Sequence, residues 1–302
     1  MIADAGAAAQ FAWEEFFIGR IRNAYTRRAY LHAVRDFLRW VECRQVDLVR
    51  ITPGMVGQYF DELAMSVPSK KLYLSGIRAF LNVLVERHVI VLNPALSVRM
   101  ERFSAIEGRT PEITVDQARR LLTSIKIKSV VDLRDRALIG MLIYTAARAG
   151  AVAKLRIKDF ADEGTQFVLR FAEKGGKARS IPVRSDLQEF LQSYIAAAAL
   201  PDQPKDAPLF RTSGGRRGIL SERPISGVDI CRLVKRRLKA AGLPTIMSPH
   251  SFRSCAATDL LLQGVALEDV QYLLGHSDSR VTKLYDRRQK QVTRNIVERI
   301  SV

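Results

Sequence analysis

The chain has 302 residues, 47% of them hydrophobic and 26% charged, which are the proportions of a folded globular protein with length for two domains of ordinary size. Its 48 lysines and arginines outnumber 31 aspartates and glutamates, so the formal charge is +17, the pI is near 10.2 and the partner class is polyanionic. No run of about 18 apolar residues could span a bilayer, and three scattered cysteines (Cys43, Cys231, Cys255) without a CxxC pair exclude a disulfide framework or a cysteine zinc site.

The first residues, MIADAGAAAQFAWEEFF, lack the basic start and continuous apolar run of a signal peptide, which points to an intracellular protein; this alanine-rich start reads as loose chain. From Thr26 to Glu42, Tyr30, Val34, Phe37, Leu38 and Val41 recur at helical spacing, and the opposite face carries Arg27, Arg28, Arg35 and Arg39. Thr52-Pro53 predicts a cap and first turn for a helix to about Met65, with Val56, Tyr59, Phe60 and Leu63 inward. Ser69 is the expected cap of a third helix that begins with Lys70 and Lys71, buries Tyr73, Ile77, Phe80, Leu81 and Leu84, and stops before Asn93-Pro94. His32 and His88 sit at polar edges as ordinary surface histidines. Residues 1–100 therefore read as one helical domain, and the polar, aperiodic stretch 101–112, with Gly108 and Pro111, as a linker.

Residues 113–302 read as a second domain. Thr114 and Gln117 have capping-box spacing ahead of Ala118, Leu121, Leu122 and Ile125. The apolar segment DLRDRALIGMLIYTAAR predicts a buried helix that delivers Arg148 at its C-terminal end, where a cation suits the helix dipole. Two alternating runs, 166–172 and 178–184, flank Glu173-Lys174-Gly175-Gly176-Lys177, a hairpin whose tip holds Lys174 and Lys177 and whose second strand carries Arg179. Ser185 and Gln188 predict a capped helix to about Ala199, and 201–223 an irregular segment with Arg211, Arg216 and Arg217. Val228 to Ala241 predicts an amphipathic helix with Lys235, Arg236, Arg237 and Lys239 on its polar face, ended by Gly242.

Two of the four histidines fall in the window from Ser248 to Tyr285. Ser248-Pro249 opens a helix that places His250 and Arg253 on one face, beside the free N–H groups of the first turn, a natural anion site. Gly264 breaks this helix, Leu267 to Leu274 forms another, and Gly275 ends it so that His276 follows on a tight turn, with Tyr285 nine residues on. No HExxH, acidic-histidine ligand spacing or phosphate-binding GxxxxGK[ST] loop is present. Phosphoryl chemistry without those devices needs side-chain cations to offset charge on the phosphate oxygens and a side-chain nucleophile.

The ordered set Arg148, Lys174, His250-x-x-Arg253, Leu274-Gly275-His276 and Tyr285 resembles the tyrosine recombinase (phage integrase) family, and TRRAYLHAVRDFLRW resembles the helical core-binding domain of phage and Xer-type integrases. The resemblance covers nearly the whole chain. It implies a mostly α fold, with a SAM-like N-terminal domain and a mainly helical catalytic domain holding a small antiparallel sheet. It implies that Arg148 and Arg253 clamp the scissile phosphate, that Tyr285 attacks phosphorus to give a 3′-phosphotyrosyl link, and that His250 assists the proton transfer. His276 would hydrogen-bond the phosphate, and Lys174, or Lys177 in the same turn, would protonate the leaving 5′-oxygen. No metal or other cofactor is implied. The implied partners are double-stranded DNA core sites and further copies of the chain, a tetramer in the synapse and a monomer or dimer when free, in the cytoplasm with the nucleoid and away from membranes. Backbone contacts are expected from Arg27, Arg28, Lys70, Lys71, Lys177, Arg179, Arg216, Arg217, Lys235 and Arg236. The family's acidic residue three positions after the first arginine is here Ala151, and Ala147 replaces the leucine before that arginine. The tail stripe Val292, Ile296 and Ile300 suits a helix packed on its own domain, and the resemblance implies the alternative of a terminal helix docking on a neighbouring subunit. Two other readings are a DNA-binding protein with a decayed site, which the alanine at 151 would suit, and a topoisomerase IB-like relaxing enzyme.

Overall fold

The computed structural model describes residues 1–101, 111, 113–172, 178–214, 218–275, 282, 283 and 285. Lys174, Lys177, Arg216, Arg217, His276 and the tail stripe lie outside the described residues, as does most of the expected linker. The chain divides into two compact units, Met1–Ser104 and Ala105–Val302. Among the described residues the secondary structure is mostly helical, with two small antiparallel sheets.

In the first unit the alanine-rich start is not loose. It forms α1 (Ala7–Glu14) and continues as a π-helical turn (Glu15–Arg20). Alanine is the strongest helix former, and the small faces of Ala9 and Ala12 let the segment lie close to its neighbours while Phe16 and Phe17 are buried. Trp13, Phe16 and Phe17 all meet the ring of Phe80, at centroid distances of 5.5, 5.7 and 5.9 Å. α2 (Ala24–Glu42) starts two residues before the expected Thr26, because Asn23 Oδ1 accepts from the N–H groups of Tyr25 and Thr26. α3 (Pro53–Glu62) has the expected Thr52 cap, whose Oγ1 accepts from Met55 N–H at 3.3 Å. α4 (Val67–Glu86) begins with Pro68 in its first turn, so Ser69 lies inside the helix and not at its cap. Gly76 is where α4 passes α2: a Cβ there would stand 3.0 Å from the Tyr30 ring and 3.3 Å from Tyr30 Cα. Fully burying side chains such as Phe37, Phe80 and Leu84 contributes roughly 1.5–3 kcal/mol each, and all three are almost wholly inaccessible.

The second unit is built on α6 (Val130–Thr145), which has no exposed residue and buries Val131, Ala137, Leu138, Ile139, Met141 and Leu142 together with the charged pair Arg134 and Asp135. α5 (Val115–Thr123) enters through the expected capping box, with Thr114 Oγ1 accepting from Gln117 N–H and Gln117 Oε1 from Thr114 N–H. α6 stops three residues short of Arg148. Ala146 turns the chain in the left-handed region (φ 50°), so Arg148 becomes the N-cap of the short α7 (Ala149–Val152) and not the end of α6.

A three-stranded sheet follows: β1 (Phe160–Asp162), β2 (Phe167–Ala172) and β3 (Ala178–Pro182), antiparallel in sequence order, with Phe160 opposite Leu169 and Phe171 opposite Arg179. β1 is too short to show alternation. α8 (Ser185–Ala197) has Arg184 at its N-cap; the Ser185 hydroxyl donates to Asp186 instead of capping. The stretch expected to be irregular contains a hairpin of β4 (Arg211–Ser213) and β5 (Leu220–Pro224). α9 (Gly227–Ala240), α10 (Pro249–Leu262) and α11 (Leu267–Leu274) complete the unit, with Gly242, Gly264 and Gly275 at positive φ where the glycines were expected to stop helices.

Inside this unit the sequence DLRDR supports a buried ion cluster. Asp135, wholly buried, accepts from Arg134 through Oδ1 and from Arg236 and Arg237 through Oδ2, and Asp132 takes a further bond from Arg237. The polar face of α9 is therefore partly turned to α6: Arg237 faces inward, while Lys235 stays exposed.

Candidate active site

The site begins at the first turn of α10. Pro249 pre-sets the helical φ at the first position, and Ser248 N–H donates to Ser251 Oγ at 3.1 Å. That turn fixes His250 and Arg253 on one face, as their spacing requires.

Arg253 is 1% exposed, a depth at which a guanidinium needs fixed acceptors. Two helix ends supply them. Its Nη1 donates to Ala146 O at 2.8 Å, at the left-handed turn after α6, and its Nη2 donates to Leu274 O, at the end of α11. Terminal carbonyls have no partner within their own helix and carry the negative end of its dipole. Arg253 Nε is buried with no hydrogen-bond partner among the described residues. Burial, then the Arg148 cation, lowers the Arg253 pKa to about 10, with Tyr285 acting in the opposite sense; the side chain remains cationic at neutral pH.

Arg148 is exposed and sends Nη1 to Gly275 O at 3.4 Å, one residue beyond the carbonyl that holds Arg253. Tyr285 lies in a small apolar cluster with Ala146, Ala257, Leu261, Val270 and Leu274, and its hydroxyl stands 3.3 Å from His250 Nε2. Lost hydration, followed by the nearby Arg253 and Arg148 cations, lowers the His250 pKa. The shift favours the neutral imidazole, and in the tautomer that carries its proton on Nδ1 the Nε2 atom can accept the phenol proton.

Four of the six expected catalytic side chains, Arg148, His250, Arg253 and Tyr285, thus meet at one place, although 137 sequence positions separate the first from the last. Lys174 and His276 fall outside the described residues, between Ala172 and Ala178 and directly after Gly275. Ala151 packs against the core of the unit, and its N–H donates to Arg148 O at 2.8 Å. No carboxylate occupies that position; the arginines rest on backbone carbonyls. The expected backbone-contact residues differ in their surroundings. Arg28 and Lys235 are exposed and Lys71 half-buried. Arg27 is tied to Ile21 O, Lys70 to Phe60 O, and Arg236 to Asp135 while remaining largely exposed. Arg179 is buried, 6% exposed, with its guanidinium on the carbonyls of Tyr272 and Leu273. Nothing in its local sequence separates it from the exposed basic residues except its place in an alternating strand. Among the described residues no group of three or more histidine, cysteine or acidic side chains is placed to hold a metal ion, and no helix is long and apolar enough to cross a membrane.

The family model described as "Phage integrase family" matches residues 111–292, and "Phage integrase, N-terminal SAM-like domain" matches residues 12–88. The chain belongs to the phage integrase family. It is 30% identical over 276 residues to the tyrosine recombinase XerD of Corynebacterium glutamicum, covering 87% of each chain, and 26% identical over 273 residues to the tyrosine recombinase XerC of Thermodesulfovibrio yellowstonii, covering 87% of this chain and 85% of that one. Among solved structures it is similar to the XerH site-specific recombinase bound to palindromic difH substrate in a post-cleavage complex, with TM-score 0.74 and 19% identity over 98% of this chain and 86% of that one. A lambda integrase dimer bound to a COC′ core site aligns with TM-score 0.64 and 20% identity over 91% and 75% of the two chains. At these identities the structural likeness establishes the integrase fold, with its SAM-like N-terminal domain and mainly helical second domain.

Proposed function

We propose that this integrase-family chain is a site-specific recombinase that breaks and rejoins double-stranded DNA through a 3′-phosphotyrosyl intermediate. The observation that carries the proposal is the Tyr285 hydroxyl held 3.3 Å from His250 Nε2, beside a buried Arg253 whose Nε has no partner among the described residues. Phosphate oxygens would supply an acceptor for Arg253 Nε and further acceptors for the exposed Arg148; the planar, multi-donor groups of both suit a phosphate better than lysine does.

In the forward step Tyr285 Oη attacks phosphorus and its proton passes to His250. The bond from phosphorus to the 5′-oxygen breaks, and Lys174 protonates the leaving oxygen, with Lys177 the alternative in the same segment. His276 contributes a further hydrogen bond to the phosphate. Charge that builds on the non-bridging oxygens is met by Arg148 and Arg253. The tyrosyl phosphodiester conserves the energy of the broken backbone bond, so a 5′-hydroxyl from a second strand reverses the step without a nucleotide cofactor. Exchange between two duplexes requires copies of the chain acting together, as a tetramer in the synapse, on cytoplasmic, nucleoid DNA.

The test uses a core site selected from randomised duplexes by binding to the wild-type protein, then nicked so that cleavage traps the intermediate. Wild type is expected to give a covalent adduct and Tyr285→Phe none. Binding without an adduct would mean a DNA-binding protein with a decayed site. An adduct together with plasmid relaxation but no strand exchange between two sites would mean a topoisomerase-like enzyme.

A further inference from the structure

The end of α11 holds more than the two arginines of the clamp. Four consecutive carbonyls receive three guanidinium groups: Arg179 Nη1 donates to Tyr272 O at 3.2 Å and to Leu273 O, Arg253 Nη2 to Leu274 O, and Arg148 Nη1 to Gly275 O at 3.4 Å. Arg179 comes from β3, where it faces Phe171 across the ladder, with its guanidinium carbon 5.6 Å from that ring. It stands at the edge of the site electrostatically as well as sterically, because its charge, like that of Arg148, lowers the Arg253 pKa.

We propose that Arg179 is a positioning residue for strand cleavage. By anchoring the Tyr272 and Leu273 carbonyls to the sheet, it sets the end of α11, so that the next two carbonyls orient Arg253 and Arg148 and leave their remaining donors for the phosphate. The same anchor joins the strand leaving the Lys174 segment to the turn that leads into His276. An arginine suits the task because its long side chain carries several donors from β3 to the helix end, where its Nη1 reaches two adjacent carbonyls. Its burial makes direct phosphate contact a poor account of it. In place of a carboxylate at position 151, the arginines are supported by helix-end carbonyls, and Arg179 bonds the two carbonyls that immediately precede those of Leu274 and Gly275.

The proposal rests on the recombinase reading, and its test separates the two. Adduct formation is measured at saturating DNA, in single turnover, on the nicked core site with either a phosphate or a neutral methylphosphonate at the scissile position. Arg179→Gln is expected to slow the phosphate reaction about 10- to 100-fold, the scale of loss from a small misplacement of catalytic groups. DNA affinity should be unchanged and Arg179→Lys should recover part of the rate. On the methylphosphonate, which has less charge for the arginines to offset, the gap from wild type should shrink. A wild-type rate for Arg179→Gln, or an equal loss on both substrates, would overturn the proposal and leave the recombinase reading intact; no adduct from the wild type would sink that reading first. If Arg179→Gln does not fold, Arg179→Lys carries the same two comparisons.

Discussion

At the scale of single residues, charge and backbone strain concentrate where helix ends meet. Burial and two cations make protonation of His250 less favourable in the folded chain than in the unfolded one. The unfolded state therefore binds more protons as pH falls below the ordinary value, so the stability associated with the neutral ring is present above the unfolded pKa and lost as pH drops through the folded one. In the DNA-free protein, NMR titration should place His250 below the ordinary value of about 6.5, and Arg148→Ala, which removes one of the two cations, should raise it. A midpoint at or above the ordinary value in wild type would count against the arrangement. Ala146 is a second pressure point: a non-glycine residue at φ 50° whose carbonyl holds Arg253. A β-branched side chain fits that region poorly, and Ala146→Val should lower unfolding stability by about 1–3 kcal/mol, read by urea denaturation, with a loss of cleavage beyond the stability effect. His250, Arg253 and Tyr285 were legible in the sequence because their types and order carry chemistry. Ala146 was not, since an alanine has no local mark of the conformation it will be made to adopt.

At the scale of elements, apolar periodicity located most helices, but their ends were decided by neighbours. α1 escaped notice because alanines make no contrast between faces, although they are what lets Phe16 and Phe17 reach Phe80. Arg148 was expected to close α6 and instead opens α7, because the intervening turn is needed to present both the Ala146 carbonyl and the Arg148 side chain. The basic face of α9 was read as one surface, whereas Asp135 draws Arg236 and Arg237 to α6. Truncating Asp135 would leave the buried Arg134 without its carboxylate and Arg237 with Asp132 alone, and removal of one member of a buried ionic cluster costs about 3–5 kcal/mol. Asp135→Ala should show that loss in chemical denaturation; a change under about 1 kcal/mol, the scale of a surface pair, would mean the cluster contributes little.

At the scale of the whole molecule, the +17 charge is the property most directly tied to the proposed partner. DNA affinity should fall linearly with salt on logarithmic axes, since each neutralised phosphate contributes a slope of about −0.9. Exposed Lys235→Ala should reduce the slope by about one if it meets a phosphate, whereas Arg179→Gln should leave it unchanged. Gel-shift titrations over a range of salt concentrations measure both. Each compact unit has its own apolar core.

What the sequence determined by itself is the chemistry available: a basic, mostly helical chain carrying two arginines, two histidines, a lysine and a tyrosine in the order of the integrase family. Composition and order are properties of the chain, and helix stops at glycine follow from backbone sterics that act locally. What only the tertiary structure decided is which cations are free to act. Nothing in the sequence sets Arg253 and Arg179 apart from the other arginines, yet both are buried, with carbonyls at two helix ends facing them. Unsatisfied carbonyls exist only once helices end, and arginines 21 to 127 positions away in the chain can share them only once those helices are packed.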